Sequence, residues 1–122
     1  MFLFFSHKLT PLQIEEAKKL GVEEFVYLPK NLQDIFSNVP PDVESLGEYL
    51  KPLFLFLMQN SKSGDYVLIQ GEFGVVYRLV TFAKMLDLIP IYATTKREVS
   101  EKIEGDKVIK RSVFSHSGFR RY

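Results

Sequence analysis

The chain has no cysteine, which removes disulfide frameworks and thiolate metal sites from consideration and suits a reducing compartment. Only two histidines occur, His7 and His116, and no histidine pair with carboxylates at ligand spacing is present. No bound metal or other cofactor is therefore expected. No apolar run approaches the roughly 18 residues that suggest a membrane span. The opening Met1-Phe2-Leu3-Phe4-Phe5 stops at Ser6-His7-Lys8 and lacks the basic leader and length of a signal peptide. A soluble, cytoplasmic protein with no membrane partner is the expectation. A strong excess of one charge is also missing, since 16 Lys and Arg against 15 Asp and Glu leave a net +1. That balance argues against a binder of duplex nucleic acid. It leaves room for a small anion near the end of the chain, where Lys107, Lys110, Arg111, Arg120 and Arg121 crowd. Internal repeats, linkers and low-complexity tracts are absent.

A chain of 122 residues fits one domain with a single core. Phe2 to Ser6 is continuous, aromatic-rich and too short for a helix, so it reads as a buried strand. Thr10-Pro11-Leu12-Gln13 opens a helix through a reciprocal cap and a proline at its first position. Ile14, Ala17 and Leu20 form its inner stripe, and Gly21 stops it. Phe25 to Leu28 is a second strand. A short helical turn around Leu32, Ile35 and Phe36 follows, then a Pro40-Pro41 break. Asp42 is the expected cap of the next helix, which Pro52 kinks or divides. Tyr66 to Gln70 is the clearest buried strand. The helix after it places Val76, Val80 and Ala83 on one side. Ile89 to Thr94 is a fourth strand, and Val99–Ile103 and Val108–Val113 flank the hairpin turn Gly105-Asp106.

Strands alternating with helices imply βαβ units, a parallel sheet and right-handed crossovers. The expected fold is one α/β domain over residues 1–122. Strand–helix alternation fills residues 1–97, and a C-terminal β-hairpin and tail fill residues 98–122. The residues leave open whether the tail from Ser115 to Tyr122 joins the sheet, forms a lid or exchanges with another chain.

In such a sheet ligands collect beyond the carboxyl ends of the strands, which selects three segments. The first is Ser6-His7-Lys8. The second is Gln70-Gly71-Glu72-Phe73-Gly74, whose glycines admit a close ligand while the following helix turns its N–H groups toward it. A tight turn with Glu72 placed favourably at the helix dipole is the plain alternative. The third is Thr94-Thr95-Lys96-Arg97, two hydroxyls and two cations suited to phosphate. Its plain alternative is a solvated loop. His7 can exchange a proton near neutral pH, whereas His116 reads as a residue of a polar tail.

Three runs carry a family likeness. They are Phe5-Ser6-His7-Lys8-Leu9-Thr10 with Gln13, Tyr66-Val67-Leu68-Ile69-Gln70-Gly71-Glu72-Phe73-Gly74, and Pro90-Ile91-Tyr92-Ala93-Thr94-Thr95-Lys96-Arg97. The chain resembles the small stand-alone ring nucleases of type III CRISPR defence, relatives of the CARF (CRISPR-associated Rossmann fold) domain. The likeness covers nearly the whole chain, with Asp87 standing where glycine is expected after the helix. It implies a Rossmann-like, CARF-like domain in a homodimer that cleaves cyclic oligoadenylate, chiefly cyclic tetra-adenylate, without metal. Under that resemblance Lys96 and Arg97 grip phosphate and stabilise developing charge, and His7 transfers a proton. Ser6, Thr94 and Thr95 bond phosphate or ribose, Gln70 and Glu72 line the site, and Gly71 to Gly74 give backbone contacts. Phe36 or Phe73 stacks on adenine, unless each is a core residue. A non-cleaving sensor or sponge and a structural α/β interaction partner are the competing readings.

Overall fold

The computed structural model describes all 122 residues. Ten elements follow in chain order: β1 (Phe2–Phe4), α1 (Pro11–Lys19), β2 (Val26–Tyr27), α2 (Lys30–Ser37), α3 (Leu46–Tyr49), α4 (Lys51–Asn60), β3 (Tyr66–Ile69), α5 (Phe73–Met85), β4 (Ile89–Glu104) and β5 (Lys107–Arg121). The sheet order is β2-β1-β3-β4-β5. The first four strands are parallel, with Leu3 beside Leu68 and Leu68 beside Ile91, and β5 returns antiparallel along β4. This is the expected α/β architecture, Rossmann-like with a C-terminal hairpin.

Alternation along the strands sends side chains to opposite faces, and the two cores show the consequence. Phe2, Phe4, Val67 and Ile69 pack with Leu32 and Phe36 of α2, Leu53 and Leu57 of α4, and Val75, Leu79 and Ala83 of α5. Leu3, Leu68 and Ile91 pack on the other face with Ala17 of α1. Each fully buried leucine contributes roughly 1.5–3 kcal/mol. Since α1 alone covers one face, the chain leaves β1 in one direction for β2 and leaves β3 in the other for β4. The reversal falls between β1 and β3.

The local signals explain most boundaries. Thr10 Oγ1 accepts from the Gln13 amide at 3.2 Å, and Gln13 Oε1 accepts from the Thr10 amide at 2.9 Å. Gly21 takes φ +92° just past α1. Leu20, expected on the inner stripe, is exposed, and Val22 is buried beyond the turn instead. Pro52 divides the expected helix into α3 and α4 with Leu50 at the joint. The cap of α3 is Ser45, not Asp42: Ser45 Oγ accepts from the Glu48 amide at 3.3 Å. Ser45-Leu46-Gly47-Glu48 has the spacing of a capping box, and Asp42 lies in the turn before it. In α5 the fully buried stripe is Val75, Leu79 and Ala83, one residue out of phase with Val76 and Val80, which are half-buried. Asp87 takes φ +58° after α5, the left-handed conformation that glycine usually supplies.

The largest departure is β4. The strand does not end at Thr94 but runs on to Glu104, so the fourth strand and the first hairpin strand are one element. The tail from Ser115 joins the sheet as the lower half of β5, and the Tyr122 amide donates to the Pro90 carbonyl at 3.1 Å.

Candidate functional site

The reversal point between β1 and β3 is where an open α/β sheet leaves a crevice. Ser6 and His7 follow β1 there, and Gln70 to Glu72 follow β3. The Gln70 amide donates to the Phe4 carbonyl at 3.0 Å, closing the crevice floor. Gln70 Oε1 reaches the other way and accepts from the Ala93 amide at 2.8 Å, tying β3 to β4. Its side chain therefore holds the crevice wall.

Two residues of α2 complete the crevice. Gln33 Nε2 donates to the Phe5 carbonyl at 3.1 Å and to Ser37 Oγ at 2.8 Å, and Ser37 Oγ lies 2.9 Å from Ser6 Oγ. Ser6, Gln33 and Ser37 thus form a cluster of donors and acceptors in which the two serines are exposed and Gln33 is half-buried. Sequence reasoning reached Ser6 alone. The signal for the others is the i, i+4 spacing of Gln33 and Ser37 on one helix face. His7 is exposed, its ring edge-on to Phe5 at 5.4 Å.

In two places the plainer alternative holds: Phe36 is a core residue, and the glycine segment is a turn with Glu72 set against the helix dipole. Phe36 is 2% exposed, packs edge-on against Phe4 at 5.9 Å and lies beneath Gly71, so it cannot stack on a base. Its aromatic bulk fills the core of the α2 side. The N-terminus of α5 is also not free for a phosphate. Glu72 turns its carboxylate onto its own helix, accepting from the Gly74 amide at 2.7 Å and the Val75 amide at 3.3 Å. The charge that complements the dipole is supplied within the chain. Phe73, by contrast, is 93% exposed and available for stacking.

The third segment is a strand, not a loop. Thr94 and Thr95 stand at the level where the sheet's carboxyl edge ends, and Lys96 and Arg97 lie beyond it on the β4–β5 ribbon. Neighbours on a strand point to opposite faces, so Lys96 and Arg97 do not converge on one phosphate. Lys96 Nζ lies 4.0 Å from Glu98 on its own face. Arg97 Nη2 donates to Ser112 Oγ at 3.1 Å, and its guanidinium lies 5.9 Å from the Phe114 ring centroid. Thr94 Oγ1 donates to the Gly118 carbonyl at 3.0 Å. No hydrogen bond or ion pair joins His7 to either cation.

The pairing Thr94–Gly118 followed by Thr95–His116 leaves Ser117 unpaired, a bulge beside the candidate residues. His116 is not a solvated tail residue. Its ring is half-buried, 4.9 Å from Phe119, and both ring nitrogens are buried without a partner. Burial lowers its pKa from the ordinary 6.5, against the opposing pull of Glu16. On the other face Arg120 Nη1 donates to the Tyr92 hydroxyl at 3.1 Å, and the Tyr122 hydroxyl donates to the Ile69 carbonyl. Burial, followed by the nearby Tyr92, raises the Tyr122 pKa.

The main cavities of the chain only skirt this region. The largest, about 500 Å³, opens at the opposite, amino ends of the strands among Met1, Glu23, Glu24 and Asp65. A hollow of about 380 Å³ adjoins Glu72 beside Pro40 and Pro41, and one of about 390 Å³ runs between Phe73 and Tyr122. Neither includes Lys96, Arg97, Ser6 or His7. No group of three or more His, Asp or Glu side chains is placed to hold a metal ion. No helix is long and apolar enough to cross a membrane.

Comparison with known proteins points to one family. Residues 1–120 match the model described as the uncharacterized protein MJ1673 family. Uncharacterized protein MJ1673 of Methanocaldococcus jannaschii is 53% identical over 123 residues, an alignment that covers 100% of this chain and 95% of that protein. No solved structure matches. The chain belongs to the MJ1673 family.

Proposed function

We propose that this chain is a ring nuclease of prokaryotic type III CRISPR signalling, acting as a homodimer on cyclic oligoadenylate. The ring is cyclic tetra-adenylate, and cutting it switches the signal off. The observation that carries the reading is the hydrogen-bonded polar cluster at the β1–β3 reversal point. It joins Ser6, Gln33 and Ser37, while Thr94 and Thr95 stand at the same edge on β4, on the far side of β3, with Lys96 and Arg97 further out on the ribbon. The resemblance of the Phe5–Thr10, Tyr66–Gly74 and Pro90–Arg97 runs to ring nucleases suggests the substrate class.

The chemistry asked of such a site is small. An adenosine 2′-hydroxyl attacks its neighbouring phosphorus, the bond from phosphorus to the 5′-oxygen breaks, and a 2′,3′-cyclic phosphate forms. The 2′-hydroxyl proton leaves to a base, for which His7 is the candidate, and the departing 5′-oxygen takes up a proton. Holding the three atoms in line removes roughly 7–11 kcal/mol of barrier. A cation near the phosphorus stabilises the charge that develops there. No external nucleophile is required, so EDTA is expected to leave the reaction intact.

Product analysis tests the reading. Cyclic tetra-adenylate incubated with excess protein in EDTA is expected to give linear adenylates ending in 2′,3′-cyclic phosphate. Ring that stays intact while still binding establishes the non-cleaving sensor instead. Absence of any binding leaves the structural interaction partner.

A further inference from the structure

Beyond the body of the sheet, β4 and β5 continue as a two-stranded arm with no helix on either side. Every residue from 95 to 108 is exposed. The ten residues from Thr95 to Glu104 span about 30 Å at the rise of a strand. A lone two-stranded ribbon is marginally stable in water, so this arm calls for a surface to lie on.

Its two faces differ. Residues paired across an antiparallel ladder share a face. One face therefore carries the pairs Arg97–Phe114, Val99–Ser112, Glu101–Lys110 and Ile103–Val108. Val99, Ile103, Val108 and Phe114 on it are 56%, 76%, 57% and 65% exposed. The opposite face carries Lys96, Glu98, Lys102, Glu104, Lys107 and Arg111, with only Ile109 and Val113 apolar. The first face continues the surface that α1 covers in the body, where Phe119 packs beside Ile91. Below Phe114 that apolar surface is covered, and above it is bare.

The charges say what covers it. Glu101 and Lys110 stand side by side, Nζ to Oε1 at 3.6 Å, in the middle of the apolar pairs. Lay a second copy face to face about a twofold axis running along the arm. Each β4 residue then meets the β5 residue of the same pair, so Glu101 meets Lys110 of the copy and Ile103 meets Val108 of the copy. Arg97 meets Phe114 of the copy, the partner type it already has within its own chain. A twofold axis lying across the arm at that level sets Glu101 against Glu101 and Lys110 against Lys110. Of these two arrangements the parallel one is complementary in both charge and apolarity along the whole face.

We propose that the Arg97–Phe114 face of the β4–β5 arm is the seam of a homodimer in which two arms pack face to face and parallel. The inference rests on the twofold assembly proposed above and names its contact surface. It sets the carboxyl ends of both sheets on the same side of the dimer.

Because the chain contains no cysteine, single introduced thiols report contacts cleanly. A mixture of Glu101→Cys and Lys110→Cys chains, treated with a short bismaleimide, is expected to cross-link as the mixed dimer in preference to either chain with itself. Ile103→Glu is expected to raise the dimer dissociation constant more than tenfold by light scattering or ultracentrifugation. The far-ultraviolet melt of that variant, whose substitution lies outside both cores, checks that the body still folds. A strictly monomeric wild-type protein overturns the inference and the twofold site together. A dimer that survives Ile103→Glu and cross-links through Met85→Cys on the exposed face of α5 overturns the inference alone. Arm cross-linking without ring cleavage upholds the seam and removes the nuclease.

Discussion

The ring of Phe36 lies directly against Gly71: a Cβ at Gly71 would stand 2.9 Å from Phe36 Cζ. One contact thus explains both a glycine at the carboxyl end of β3 and an aromatic on α2. Because Phe36 is buried against Phe4, its ring cannot swing away. Gly71→Ala is expected to destabilise the fold by about 1–3 kcal/mol, the cost of overpacking a filled core. Combining it with Phe36→Leu should cost less than the sum of the two single changes in denaturant titrations. Additive costs would mean that the two positions do not touch.

Glu72 occupies the site that an incoming anion would take. Glu72→Ala frees the Gly74 and Val75 amides and removes a negative charge from the start of α5. Loss of the cap is expected to cost about 0.5–2 kcal/mol. The variant should also gain more thermal stability from added sulfate than the wild-type chain does. An equal sulfate response in both would contradict the assignment of Glu72 as a resident anion.

Lys96 and Arg97 stand on opposite faces of one ribbon, so their removal cannot be equivalent. Arg97 shares its face with Thr95 and with the inferred seam, whereas Lys96 is exposed beside Glu98. In single-turnover assays of the proposed cleavage, at concentrations where the variant is still dimeric, Arg97→Ala is expected to slow the reaction by about 10²-fold or more, the scale of a lost transition-state donor. Lys96→Ala is expected to cost less than about tenfold, since its charge is screened by solvent. Equal losses would place both cations at the phosphate and contradict the face assignment.

His116 makes stability depend on pH in a definite direction. Burial favours its neutral ring and holds the folded pKa below the ordinary 6.5, with Glu16 of α1 opposing. As pH falls through about 6.5 the unfolded chain takes the proton first. Stability is undiminished above that value and declines as pH falls toward the lowered folded pKa. His116→Phe keeps a ring beside Phe119 and removes the titration. Melting curves of the two proteins should shift together near pH 8 and separate below about pH 6.5. Parallel behaviour down to about pH 5 would show that His116 does not titrate with folding.

The fold was largely legible because its signals are local. The Thr10–Gln13 cap, the Gly21 stop, the Pro52 break and the Gly105-Asp106 turn each act within a few residues. The start of α3 was misplaced because Asp42 and Ser45 compete as caps, and only Ser45 has Glu48 three residues on. The candidate site was less legible, for a physical reason. Strand length is set by pairing, and nothing in Thr94-Thr95-Lys96-Arg97 announces that β5 pairs with it through Glu104. Once β4 continues, alternation separates the two cations that adjacency in sequence had placed together. Phe36 could not be told from a stacking residue without knowing that Gly71 lies on its ring. Gln33 and Ser37 enter the crevice only because α2 packs beside the end of β1.

The proposed function requires that two chains share one ring, and titration calorimetry counts it. Cyclic tetra-adenylate titrated into a cleavage-impaired variant such as Arg97→Lys should bind with one ring per two chains. Saturation at one ring per chain, or no heat at all, would contradict a cavity built jointly by two copies.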